Sequence, residues 1–299
     1  MKTELLHCPV LVNEILNGLL VEAGKIYWDG TLGTGGHAEA ILQRSSPSGQ
    51  LIGSDQDEEA IAKSCNRLIP YKERLQIACI NFNQPDEVLK INRGIGVDGV
   101  LLDLGVSMLQ LKQPCRGFSF LTDERLDMRM NQKKKLTAHE IVNTWSEDQL
   151  RTIFQEYGEE RKARKIAEKI CWARQKKSIE TTRELASLII AAMRPMKSFS
   201  KIHPATRVFQ ALRISVNQEI SALQSFLENC LRVVKRGGRI AIISYHSLED
   251  RLVKQTFRRY AIQGNGKLVF KKPIIPTFEE RQRNPHSRSA KLRIFERSL

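Results

Sequence analysis

The chain has 299 residues, of which 41% are hydrophobic and 27% charged, and its formal net charge is +15. This composition is typical of a soluble globular protein and excludes a disordered or fibrous chain, and the longest apolar runs fall far below the roughly 20 residues of a membrane span. The first residues show neither a signal-peptide core nor transit-peptide character, so we expect a cytoplasmic protein with no membrane partner.

Short β-rich runs alternate with helical segments over the first hundred residues, a pattern typical of βαβ units around a parallel sheet. The predicted strands are residues 25–29, 50–55, 75–80 and 99–103, and the predicted helices are 37–44, 57–69 and 86–93. Because these strands are largely apolar, we expect helices to cover both faces of the sheet.

The alternation then stops and returns later, which predicts an α/β domain in two parts, 1–112 and 208–299, with an all-helical insertion at 113–207. Helical patterns occupy 137–145, 147–157, 161–174 and 182–193 of the insertion. The second part is predicted as a helix at 217–235 that stops at Gly237, a strand at 239–245, a helix capped by Ser247 and Asp250, and closing strands at 267–272 and 291–296 around a basic loop at 273–288.

The positive charge is concentrated late in the chain. Residues 1–110 have a net charge of −5, whereas residues 251–299 have +10. We expect the basic part to face a polyanion, usually nucleic acid. The alternative is that the positive charge serves only to keep the protein soluble. The basic residues near the end are Arg283, Arg288, Lys291 and Arg293, which would suit a phosphate backbone. The six scattered cysteines, Cys8 among them, indicate reduced thiols and no metal site.

A glycine-rich segment, DGTLGTGGH from Asp29, joins the first predicted strand to the first helix. Such a turn lets backbone N–H groups approach a ligand at a helix N-terminus. Gly33, Gly35 and Ala38 fit the GxGxxG/A template, and Asp55 follows the second strand, where a carboxylate can accept ribose hydroxyls. The pattern indicates an adenosine-containing cofactor without distinguishing NAD from S-adenosylmethionine, and a structural turn is the alternative.

Two further polar groups follow predicted strands. Asp103 ends the fourth strand, where it could orient a substrate amine, orient the cofactor or cap the next segment. His246 follows the fifth strand and is interpreted as a substrate contact or a structural histidine. A hydrolase is disfavoured because no GxSxG nucleophile elbow is present.

At these residues the chain closely resembles the bacterial 16S rRNA cytosine-N4 methyltransferases, the RsmH (MraW) group. The resemblance runs nearly from end to end, through DGTLGTGGHAEAIL, GSDQDEEAI, DGVLLDLGVS, RLDMRM, HPATRVFQALRISVNQE, RGGRIAIISYHSLEDRLVK and RNPHSRSAKLR. It implies a Rossmann-like class I methyltransferase fold with an inserted helical domain. This sequence departs from the usual family residues at Met108, Leu109, Lys112, Tyr245 (usually Phe) and His286 (usually Arg).

The resemblance also implies a function and a site. The enzyme would methylate the exocyclic N4 of a decoding-centre (P-site) cytidine of 16S rRNA, within the small ribosomal subunit and not on DNA. The residues it places at the S-adenosylmethionine site are Gly35, Gly36, His37, Asp55, Phe82, Asp103 and Gln110. Asp103 and His246 are the catalytic candidates. The alternatives are a non-catalytic ribosome-assembly factor that keeps the cofactor fold and an NAD-dependent oxidoreductase.

Overall fold

The computed structural model describes residues 9–193 and 203–298, so Cys8 lies outside the described residues. The chain divides into two compact units, Met1–Ser107 with Ile220–Leu299, and Met108–Glu219. The domain boundaries predicted at 112/113 and 207/208 stay predictions. No helix within the described ranges has the length and apolar character needed to cross a membrane.

The first unit is built on a seven-stranded sheet in the order β3-β2-β1-β4-β5-β7-β6. The strands are β1 Ile26–Asp29, β2 Gln50–Ser54, β3 Leu75–Ala78, β4 Val97–Asp103, β5 Val234–Ser244, β6 Gly266–Leu268 and β7 Lys291–Arg297. Strands β1 to β5 pair in parallel, and β7 is antiparallel to both β5 and β6. The order 3-2-1-4-5 places the carboxyl ends of β1, β2 and β4 side by side and confirms the predicted Rossmann-like α/β fold class.

Helices cover both faces of this sheet. Neighbouring residues of one strand enter different cores: Tyr27 belongs to one apolar cluster with Leu101, whereas Trp28 belongs to the other with Leu102. This alternation follows from the two-residue period of a strand. The helices of this unit are α1 Val12–Gly18, α2 Gly36–Arg44, α3 Glu58–Leu68, α4 Pro85–Ile91, α11 Glu219–Val233, α12 Ser247–Ile262 and α13 Phe278–Arg283.

The second unit, Met108–Glu219, is helical. Its helices are α5 Met108–Lys112, α6 Ala138–Thr144, α7 Glu147–Glu156, α8 Ala163–Arg174, α9 Thr182–Ala192 and α10 Thr206–Asn217. Within its described part, the β-pairing is a single isolated bridge between Arg125 and Thr181. Helices α6 to α9 each bury one apolar side; α8, for example, buries Ala163, Ile166 and Ile170.

Three local predictions were wrong. The helix expected at 217–235 is α11, which ends at Val233, and the positive φ of 75° at Gly237 falls inside β5, where its pairing with β4 shifts register. A left-handed glycine serves a β-bulge as well as a helix end, so the residue type could not distinguish them. The first turn of α12 is capped by His246 and Glu249, not by Ser247 and Asp250.

The third error concerns the loop expected at 273–288. It contains α13 and a 3₁₀ turn at Pro285–Ser289. Thr277 caps the start of α13, because its side chain accepts a hydrogen bond from the backbone N–H of Glu280 at 3.2 Å. Threonine followed three residues later by glutamate is a helix-start signal, here obscured by the surrounding prolines and basic residues.

Candidate active site at the carboxyl ends of the parallel strands

The glycine-rich loop lies between β1 and α2 and has the conformation that its composition predicts. Gly33 and Gly35 have φ values of 51° and 82°, a left-handed region that residues with a Cβ rarely adopt. Gly35 is the residue before α2, and Gly36 is the first residue of that helix. The predicted cofactor loop is therefore a tight turn that leads into a helix N-terminus.

Asp55, just beyond β2, is held against this loop. Its Oδ2 accepts a hydrogen bond from the Gly33 N–H at 2.8 Å, and its Oδ1 accepts one from the Asp57 N–H at 2.9 Å. Burial raises the pKa of the Asp55 carboxyl to about 6, although these backbone donors favour the charged form. The structure thus brings Asp55 and the glycine loop together.

Asp29 is a buried carboxylate that the sequence reasoning treated only as the start of the motif. Its side chain is 1% exposed, and Oδ1 accepts a hydrogen bond from the Thr31 N–H at 3.1 Å. Among the described residues, Oδ2 has no hydrogen-bond partner. Burial raises the pKa of Asp29 to about 6, and the charges of Asp55 and Asp103 act in the same direction. A carboxylate ending a buried strand was the available signal for it.

Asp103 ends β4 and is fixed from several sides. Its backbone N–H donates to the Thr31 hydroxyl at 2.6 Å, and its Oδ1 accepts a hydrogen bond from the Tyr245 hydroxyl at 2.8 Å. Its Oδ2 lies 3.6 Å from Nδ1 of His37. Burial and the Asp103 charge raise the pKa of Tyr245 well above 10, so the phenol stays a neutral donor. Sequence reasoning noted Tyr245 only as a departure from the family residue.

His37 is buried in the first turn of α2. Its Nε2 lies 2.9 Å from the carbonyl oxygen of Val10, which can only accept, so Nε2 carries a proton. Its other ring nitrogen, Nδ1, faces Oδ2 of Asp103 at 3.6 Å. His37 therefore ties the glycine loop, the segment before α1 and the end of β4 into one structure.

The remaining cofactor candidates are Phe82 and Gln110. Phe82 follows β3, and its ring packs edge-on against the ring of Phe226 with 6.1 Å between the ring centroids. Gln110 is buried in α5 of the helical unit. Its assignment to the cofactor stays a prediction.

His246 has a structural role. Its Nδ1 accepts the backbone N–H of Glu249 at 3.4 Å, and Glu249 Oε2 accepts the Tyr245 N–H at 2.9 Å, which closes the first turn of α12. Its Nε2 lies 3.1 Å from Glu249 Oε1. The predicted catalytic role of His246 stays a prediction.

A cavity of about 330 Å³ lies beside this end of β5. It is lined by Tyr245, His246, Ser247, Ile275, Arg281, Arg288, Ser289, Ala290 and Lys291. Tyr245 therefore lines the cavity and contacts Asp103 through its hydroxyl. The volume lies within the roughly 300–1,000 Å³ of small-ligand pockets.

The four predicted RNA-contacting cations fall into two pairs. Arg283 and Arg288 are exposed, at the end of α13 and in the following 3₁₀ turn. Lys291 Nζ and Arg293 Nε pair with the two oxygens of Asp250 at 3.1 and 2.6 Å. Arg293 is also largely buried, so its charge stabilises the contact between β7 and α12. Contact of these residues with RNA stays a prediction.

Comparison with known proteins places the chain among methylases. The model of the family described as "MraW methylase family" matches residues 4–298. A protein of Trichodesmium erythraeum named ribosomal RNA small subunit methyltransferase H is 46% identical over 97% of this chain and 99% of its own length. A protein of the same name from Crocosphaera subtropica is 47% identical over 98% of this chain and 89% of its own. TrmN of Thermus thermophilus aligns with a TM-score of 0.45 and 10% identity, over 96% of this chain and 48% of that one.

Proposed function

We propose, because the chain belongs to the MraW methylase family, that it transfers a methyl group from S-adenosylmethionine to the exocyclic N4 of a cytidine in 16S rRNA. The names of its relatives support the small-subunit rRNA as substrate. The resemblance of the motifs supports N4 of the P-site cytidine. The main structural support for this reaction is the position of Asp103 beside the glycine loop, where hydrogen bonds with Tyr245 and Thr31 fix it.

The residues around the loop fit S-adenosylmethionine. Asp29, Asp55 and Asp103 place three carboxylates at adjacent strand ends, and Oδ2 of Asp29 is buried without a partner in the part of the chain that the structure describes. Such a cluster favours a ligand with a positive sulfonium and ammonium group. It disfavours the anionic pyrophosphate of NAD, which resolves the alternative that the glycine template left open. Asp55 and the loop amides would hold the adenosyl part, and Asp29 would lie toward the cationic part.

When bound, S-adenosylmethionine supplies an electrophilic methyl group. The protein's contribution is to position the attacking amine and to accept its proton. The lone pair of the cytosine amine is delocalised into the ring, so a hydrogen-bond acceptor for an N4–H makes the nitrogen a better nucleophile. Asp103 is the acceptor at the strand end. The Tyr245 hydroxyl fixes the carboxylate plane by donating to Oδ1.

The cavity beside Tyr245 would receive the target nucleotide. Its wall combines Tyr245 and His246 with the basic side chains of Arg281, Arg288 and Lys291. A base that is stacked in an RNA fold must be turned out of its stack to enter such a cavity, and the basic groups that line the cavity favour the accompanying phosphate.

The direct test is methylation of small ribosomal subunits or 16S rRNA that lack the modification, with S-adenosylmethionine as donor. Mass spectrometry of the digested RNA should show one N4-methylcytidine. An unmodified RNA, with binding intact, would instead support the non-catalytic assembly factor. A methyl group on carbon 5 would contradict the assignment of N4.

Asp103→Asn should retain the fold and lower the single-turnover rate, because the shape is kept while the anionic acceptor is lost. Removing a hydrogen-bond partner from a charged group typically costs about 1.5–3 kcal/mol, which corresponds to about a tenfold to hundredfold slower reaction. Unchanged rates with weakened cofactor binding would restrict Asp103 to cofactor binding.

Tyr245→Phe should slow the same step about tenfold while cofactor affinity stays constant, because only the restraint on Asp103 is lost. Tyr27→Phe is the matched control. It removes another largely buried hydroxyl, which donates to the Leu20 carbonyl at 3.1 Å. Equal rates for the two variants would show that the Tyr245 hydroxyl has no positioning role.

A further inference from the structure

One outer face of the helical unit carries an exposed tryptophan between lysines. Trp172 lies near the end of α8 and is 50% exposed. Lys169 Nζ and Lys176 Nζ lie 4.3 and 4.0 Å from its ring centroid. Lys165, Lys169, Trp172 and Lys176 are spaced by four, three and four residues, so they form one stripe along the helix. We call these four residues the Trp172 stripe.

The stripe is not needed to pack α8. The opposite face buries Ala163, Ile166, Ala167 and Ile170 and holds the helix in the unit. Half of the Trp172 side-chain surface remains in solvent, although tryptophan is highly buried on average. The stripe is therefore a surface feature that the fold itself does not explain.

The charges of the stripe are also left available for a ligand. Residues 161–177 contain eight lysines and arginines and one glutamate. Arg164 pairs with Glu168 at 2.8 Å, and Lys177 pairs with Glu184 at 2.9 Å. Among the residues that the structure describes, Lys169 and Lys176 contact the Trp172 ring and form no ion pair with a carboxylate. Their ammonium groups can exchange this contact for phosphate without breaking an ion pair.

We propose that the Trp172 stripe binds an unpaired segment of RNA, with a base stacked on the indole ring and phosphates on Lys169, Lys176 and Lys165. Aromatic rings bind unpaired bases by stacking, and lysines bind the backbone through its charge. The combination matches a single strand and not an RNA duplex, whose bases are stacked on each other. A membrane surface fits less well, because the apolar face of α8 is buried and one aromatic ring is left to insert. The partner named here, the substrate RNA, rests on the proposed function.

Fluorescence tests this with the full-length protein and a single-stranded oligocytidylate. Of the three tryptophans, Trp28 is fully buried. Addition of the oligonucleotide should quench the emission, and Trp172→Phe should remove most of that quenching. Trp172→Ala should lower the affinity roughly tenfold, the scale of losing one stacked base. Duplex RNA of equal length should quench less.

Lysine variants test the phosphate contacts. Lys169→Ala with Lys176→Ala should reduce the slope of log affinity against log salt by about 1.4, since each lost phosphate contact on a single strand contributes about 0.7. The matched control is Lys63→Ala with Lys72→Ala, which removes two exposed charges from α3 and from the 3₁₀ helix Ile69–Arg74 that follows it. An equal reduction of the slope in both double variants would show that the slope depends only on net charge, and this result would overturn the site.

The proposal is overturned if quenching persists in Trp172→Phe, if Trp172→Ala binds as tightly as the wild type, or if anionic lipid vesicles quench Trp172 in preference to RNA. The methylation assay is run in parallel. An inactive wild type whose binding depends on Trp172 would overturn the proposed function and leave the stripe standing. If the wild type is active but its RNA binding does not depend on Trp172, the proposed function stands and the Trp172 stripe is overturned as a binding site.

Discussion

Replacing Asp29 by asparagine should stabilise the ligand-free protein at neutral pH. The wild-type carboxylate is 1% exposed, and one of its oxygens has no hydrogen-bond partner within residues 9–193 and 203–298. The rise of its pKa from 3.8 to about 6 corresponds to about 3 kcal/mol of lost folding free energy when the group is charged. Asparagine keeps the shape without the charge but adds amide hydrogens that need partners, so we expect a gain of about 1–3 kcal/mol.

The sign of the pH dependence follows from the direction of the pKa. Below pH 3.8 the carboxyl is protonated in both the folded and the unfolded chain. As the pH rises toward 6, the unfolded chain releases the proton first, so the free energy of unfolding falls and stays lower above pH 6. Asp29→Asn lacks this contribution. Its advantage should therefore be largest at pH 7.5 and about half as large at pH 5, where the unfolded chain has released the proton and the folded chain has not.

Urea unfolding of both proteins at the two pH values measures the difference, and calorimetry measures S-adenosylmethionine affinity, which should fall about tenfold as the negative charge is lost. Asp98→Asn is the control with the opposite sign. Asp98 accepts from the Ile26 N–H and pairs with Lys235 Nζ at 2.8 Å, so its loss should destabilise the protein. A destabilised Asp29→Asn at pH 7.5, or an equal gain at both pH values, would refute the reasoning.

Two further substitutions test the cofactor loop and the basic segment. Asp55→Ala should weaken S-adenosylmethionine binding in calorimetry by about 1.5–3 kcal/mol, because the Gly33 N–H and the ligand hydroxyls lose their charged acceptor; unchanged affinity would remove Asp55 from the site. Arg293→Ala should lower the melting temperature by freeing Asp250 in the β7–α12 contact, whereas Arg288→Ala should leave it unchanged and weaken RNA binding. An unchanged melting temperature in Arg293→Ala would contradict the structural role given to the ion pair between Arg293 and Asp250.

The fold was largely predictable because its signals are local. Apolar runs between glycine, proline and polar residues located β1, β2, β3 and β4 to within a few residues. The errors lie where one residue type serves two conformations. Gly237 has the left-handed backbone expected of a helix end, yet it forms a bulge in β5 because the pairing with β4 begins at Val234. A glycine predicts the left-handed backbone at this position, but it does not indicate which strand the segment pairs with.

The residues of the site that follow strand ends could be predicted from the sequence. The contacts that depend on the register between two strands could not. Asp55 and Asp103 each follow a recognisable strand, so their shared edge could be expected. The Tyr245–Asp103 hydrogen bond joins residues 142 positions apart. It requires Asp103 to pair with Ile243, because Tyr245 then lies two residues beyond Ile243, just past the end of β5 and on the same face as Ile243. A sequence without known register contains no signal for this contact.

The charge distribution around Tyr245 restricts how RNA would approach the methyl donor. Asp29, Asp55 and Asp103 form a negative region at the strand ends, which repels phosphates, whereas Arg288 and the cavity beside Tyr245 attract them. A nucleotide drawn to this cavity would therefore keep its phosphate on the basic side and present the uncharged base toward Asp103. An exocyclic amine on that base meets an acceptor that the Tyr245 hydroxyl already orients. Under the proposed function, this separation of charge would select which end of the nucleotide reaches the cofactor, without a base-specific contact.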